Sequence, residues 1–201
     1  MKRFAPPDDN RPIIAVADHL VHGYIFAPTF RLFNDERFRA LSEFKKLPRA
    51  EHDRIFNELM VASALIIRLS LQAAPRIVPP EAYHFWRKVE EQLPRQFVRE
   101  LAQFGVSSAN AKLVRELIDM RAKEYGELSR QVQEVNEDEN KEFRELTHDM
   151  RHFAAEIQAM GIGVARHIKR GKLPPRDPLI KFLVSWLFEQ SEKIGRFVKR
   201  L

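Results

Sequence analysis

The stretch EFRELTHDMRHFAAEI, residues 142 to 157, interleaves Glu142, Glu145, Asp149 and Glu156 with His148 and His152. Glu145 and His148 stand three apart, as do Glu81 and His84, the Glu-x-x-His spacing with which helix bundles hold paired iron or manganese ions. On a helix, residues i and i+3 share a face, so a carboxylate oxygen and an imidazole nitrogen reach one ion and a second copy completes the site. Helical projection argues against that use. At about 100° per residue, Leu146, Met150, Phe153, Ile157, Met160 and Val164 gather on one side, with Glu145 about 100° and His148 about 160° away. Against Phe85, Trp86, Val89 and Leu93, Glu81 and His84 fall at similar angles. Ligands that must converge inside would look outward. With seven histidines in a glutamate-rich chain, two such matches are unremarkable, and we expect neither a bound metal nor a cofactor.

Other chemistry is equally thin. There is no cysteine, which removes thiolate ligands, disulfides and a cysteine nucleophile and fits a reducing compartment. Neither a glycine-rich phosphate loop nor H-E-x-x-H nor G-x-S-x-G occurs, and the glycine pair in GIGVARH (161 to 167) lacks the preceding strand that would give it meaning. No residue is assigned a catalytic role.

The elements that carry these residues read as helices throughout. Prolines cluster at 6–7, 79–80 and 174–178 like joints, and no alternating strand pattern is found. A first helix is expected over 13–26, closed by Pro28, after a flexible segment 1–12. A short second helix should run from an Asn34 N-cap to Leu47. The third, Pro48 to about Ala73, is apolar nearly all round from Leu59 to Leu71 and is expected at the centre. Residues 79–105 are helical on both sides of Pro94, which should kink or split them. From Ser107 to Lys169 a long antiparallel hairpin is expected, turning within 136–140, and its first arm should bury Leu113, Leu117, Met120, Leu128, Val132 and Val135. A loop at 171–178 leads to a C-terminal amphipathic helix. The fold class is therefore all-α: one helical-bundle domain over 1–201, with about six to seven helices.

Surfaces remain as the carriers of function. The formal net charge is +6, concentrated toward the C-terminus, where residues 161–201 hold ten Lys or Arg against three acids. Arg166, Lys169, Arg170, Lys172 and Arg176 form a basic patch able to meet phosphates. On the last helix, Trp186 lies on the apolar side, Phe188 extends that side beyond a narrow stripe and Phe182 lies on its other margin, and these three are candidates for a partner surface. The leading expectation is a non-catalytic assembly, adaptor or regulatory subunit that binds a protein partner or a second copy of itself. The alternatives are an accessory nucleic-acid-binding protein using the 166–176 patch, and the di-metal bundle. The N-terminal residues lead into no secretory leader, and the most apolar run falls short of the ~18 to 20 residues a bilayer requires. A cytoplasmic location without integral membrane insertion is expected, with peripheral membrane contact through the basic, aromatic last helix kept open.

Overall fold

A computed structural model describes residues 10–171, 173–174 and 176–201. The chain is all-α, with no strand among the described residues. The first helix, α1 (Arg11–Phe33), starts with Pro12 in its first turn, where a missing N–H costs nothing. Of the segment expected to be flexible, 1–9 lie outside the described residues, and Arg11 and Pro12 are already helical. Pro28 does not close this helix as expected. Val21–Phe26 widens into a π turn in which the Ala27 N–H donates to the His22 carbonyl, five residues back. That wider turn accommodates a proline ring that would otherwise strike the Tyr24 carbonyl.

Helix α2 (Glu36–Leu41) is capped by Asp35, whose carboxylate accepts the Phe38 N–H at 2.7 Å. Asn34, expected in that role, instead ends α1 and donates its amide to the Phe30 carbonyl at 2.9 Å. Glu43, in the left-handed region at φ 55°, stops the helix short of Leu47 and leaves one 3-10 turn, Phe44–Lys46.

Helix α3 (Arg49–Gln72) is the centre of the molecule. Ile55, Leu59, Val61, Ala62, Ile66 and Ile67 lose all contact with solvent, because α1 and four later helices cover its sides. Burial of such side chains is worth about 1.5–3 kcal/mol each, measured from an exposed reference. Where α1 crosses α3, the buried hydroxyls of Thr29 and Ser63 satisfy each other at 2.9 Å. By length and composition alone, Arg11–Phe33 and Arg49–Arg76 are apolar enough to cross a membrane, contrary to the expectation for the second. In the second, however, 67% of the apolar window is buried against the rest of the chain.

Helix α4 (Tyr83–Gln103) passes through Pro94 as one element and ends before Gly105, at φ 78°. It is followed by α5 (Ser108–Glu139), α6 (Lys141–Glu145), α7 (His148–Ile168) and α8 (Pro178–Arg200), which brings the described helices to eight. Glu137 with Arg151, Asn136 with Gln158 and Glu124 with His167 pair at 3.4, 2.7 and 2.8 Å. Their falling and rising numbers make α5 and α7 an antiparallel hairpin. Its turn lies later than expected, between Asn140 and Thr147, each of which caps the helix that follows. The glycines of GIGVARH have a packing use. A Cβ on Gly161 would lie 3.1 Å from the Val184 backbone nitrogen, and one on Gly163 would lie 2.6 Å from Cδ1 of Tyr125. Their bareness lets α7 approach α8 on one side and α5 on the other.

Two expected apolar stripes are only partly covered. On α5 the neighbours lie toward Ala111, Tyr125 and Ser129, which leaves Leu113, Met120 and Val135 more than half exposed. Met150, in the first turn of α7, is exposed as well.

Candidate functional site

A groove of about 630 Å³ runs between the C-terminal end of α1 with the start of α2, and the first half of α8. Local sequence positions both walls. Asp177 accepts the Leu179 N–H at 2.8 Å and starts α8 beside Pro178, and from there the groove face follows the helical repeat through Lys181, Phe182, Ser185, Trp186, Glu189 and Lys193. Pro28, Arg31, Leu32, Asp35 and Arg37 form the facing wall. Phe182 and Trp186, half-buried and one turn apart, make an aromatic floor. The Phe182 ring lies 6.3 Å from that of Phe38 in the core, and the Arg37 guanidinium rests over it at 5.5 Å from the centroid. Phe188 lies about 120° further round the helix and packs against the core outside the groove.

Four cations line this groove against two acids. Glu189 pairs with Lys193 at 3.8 Å, and the Asp35 carboxylate is held by its capping bond. Among the described residues, Arg31 and Lys181 have no ion pair, and Arg37 has only the Phe182 ring. Sequence reasoning singled out Trp186 on the apolar side of this helix and Phe182 on its margin. It missed Arg31 and Arg37, whose juxtaposition with α8 is purely tertiary.

The basic patch is differently disposed. Lys169 pairs with Glu43 at 3.6 Å. Arg170 grips Glu51 with both its Nε, at 3.0 Å, and a terminal nitrogen. Arg54 donates to the His167 and Ile168 carbonyls at 2.6 and 3.1 Å, satisfying the end of α7. Two guanidinium groups hold the Glu51 carboxyl down at about 2. Arg54 and Arg170 fasten the end of α7 to the start of α3, and Lys169 ties it to Glu43 before the 3-10 turn. Arg166 and Arg176 are exposed, and Lys172 lies outside the described residues.

A partly buried ion network joins α3, α5 and α7. Glu58 accepts from Arg121 at 3.1 and 2.6 Å, Arg121 reaches Glu124 at 3.0 Å, and Glu124 meets His167 at 2.8 Å. Hydrogen bonding to Glu58 raises the Arg121 pKa above its usual value. Arg121 stands between two carboxylates, and the network ties three helices together through side-chain hydrogen bonds. Nothing in the sequence marked it beyond the i, i+3 spacing of Arg121 and Glu124.

The Glu-x-x-His pairs are not assembled on helix faces. Leu146 is extended at ψ 153°, so that Glu145 ends α6 and His148 begins α7. Both are exposed, and the nearest acid to His148 is Asp149 at 3.7 Å. Glu81 belongs to a 3-10 turn, Pro80–Ala82, and His84 to the first turn of α4. No cluster of three or more potential ligands occurs among the described residues. Comparison of the chain with family models, curated proteins and solved structures returned no match.

Proposed function

We propose that this chain is a non-catalytic helical subunit that acts by binding a protein partner through the groove between α1, α2 and α8. The observation that supports it is the set of uncommitted cations, Arg31, Arg37 and Lys181, around an aromatic floor of Phe182 and Trp186. Interfaces draw their affinity from desolvated aromatic and arginine side chains, with charge at the rim setting specificity. A nucleic-acid role for the 166–176 patch has less support, because Lys169 and Arg170 already serve Glu43 and Glu51.

A photo-cross-linking amino acid at Ser185, in the groove, is expected to give discrete protein adducts in cells that disappear with Arg37→Glu. The same group at Lys123, on the exposed side of α5, should give none of them. No adducts at Ser185, or the same ones at both positions, would overturn the reading.

A further inference from the structure

We propose that the groove's occupant is an acidic amphipathic helix of the partner protein. It sets two apolar side chains, one turn apart, on Phe182 and Trp186 and carries carboxylates toward Arg31, Arg37 and Lys181. This rests on the groove reading above and names the chemistry of what fills it.

The backbone of the occupant is constrained first. No strand edge exists among the described residues, so an incoming segment finds no ladder for its own N–H and C=O groups. An extended segment pressed on Phe182, Trp186, Pro28 and Leu32 would bury those groups unpaired. A helix satisfies its backbone internally and brings only side chains to the contact. The face of α8 from Pro178 to Lys193 rises about 22 Å at about 1.5 Å per residue, room for some four turns of a helix lying alongside. Phe182 and Trp186, at i and i+4, present the kind of ridge that an i, i+4 or i, i+3 pair on a facing helix packs against.

Charge then fixes the flanks. Lys193 has Glu189, and Asp35 keeps its charge while accepting its capping bond, so four cations against two acids leave the groove net positive, with Arg31, Arg37 and Lys181 outside any ion pair among the described residues. Planar guanidinium groups suit carboxylates in two-point contact. A basic helix in the same place would meet three like charges.

The test uses the full chain. A phage library of randomised 16-residue peptides is selected on the wild-type protein. The enriched peptide, fluorescein-labelled, is then titrated by anisotropy against wild type, Arg37→Glu with Lys181→Glu, Arg31→Glu alone, and Trp186→Ala, each first shown to melt as the wild type does. We expect Asp or Glu on either side of two apolar residues three or four apart, with helix appearing by circular dichroism on binding. Affinity should fall at least tenfold in the double variant and severalfold in Arg31→Glu. It should fall at least fivefold between 0.1 and 1 M salt, as the screening length drops from about 10 to about 3 Å. Enrichment of proline-rich or lysine-rich peptides, or binding indifferent to charge reversal, overturns this occupant; if Trp186→Ala still abolishes that binding, the groove reading survives. No enrichment, or binding untouched by every groove variant, removes both. A 20-nucleotide single strand that binds more tightly than any peptide and is lost in the double variant overturns both in favour of nucleic acid.

Discussion

Glu51 accepts hydrogen bonds from Arg170 and Arg54 together, and this decides how the end of α7 responds to acid. Its carboxyl titrates at about 2 in the folded chain, against an ordinary 4.5. A depressed acid contributes stability that is fully present above its unfolded value and is lost as pH falls through its folded one. The attachment of α7 to α3 should therefore weaken between about pH 4.5 and 2. Thermal melting of the wild type is expected to approach that of Glu51→Gln over this window, since the variant lacks the ionisable group while every other acid is common to both. A constant gap between the two curves down to pH 2 would show that Glu51 does not carry this dependence.

Among the helices, close approach is set by what is missing from a side chain. A methyl on Gly163 would strike the Tyr125 ring, which is itself 3% exposed and hemmed in, whereas Gly126, exposed in α5, has nothing within 4 Å of such a methyl. Overpacking costs about 1–3 kcal/mol and the helix propensity gained from glycine to alanine returns at most ~1. Gly163→Ala should thus destabilise by about 1–2 kcal/mol in urea melts, while Gly126→Ala stabilises by about 0.5–1. Equal effects of the two would mean that α7 and α5 are not in this contact. The same distinction explains what could be read from the sequence at this scale. Helix identity followed from periodicity, and the centrality of α3 from its all-round apolar surface, because both are local to one segment. Pro28 misled because a π turn six residues long absorbs its ring, and Leu146 because a break in an apparently continuous repeat depends on where Asn140 and Thr147 cap. Leu113 and Met120 were expected inside from the same kind of pattern. Which side of α5 is covered depends on where α3 and α7 lie, and no single-helix projection contains that.

Across the whole molecule, a formal charge of +6 matters less than how much of it is already matched. The sequence locates the excess near the C-terminus, yet the fold returns Lys169 and Arg170 to Glu43 and Glu51. It brings Arg31 and Arg37 from early in the chain to Lys181, where none of the three has an ion pair among the described residues. Phe182 and Trp186 were legible because they lie on one helix's apolar side and its margin; the cations around them were not, because only tertiary packing unites them. Two double variants remove the same net charge and separate these sites. On a heparin column Arg37→Glu with Lys181→Glu should elute at clearly lower salt than Lys169→Glu with Arg170→Glu, because a polyanion is attracted most where cations lack internal partners. The second pair should instead melt several degrees lower, since it sets four carboxylates together where two ion pairs stood, and each 1 kcal/mol lost shifts a domain of this size by about 2–4 °C. Were the Lys169 and Arg170 variant to elute first while melting like the wild type, the uncommitted charge would lie at the end of α7, and the groove between α1 and α8 would lose its electrostatic argument.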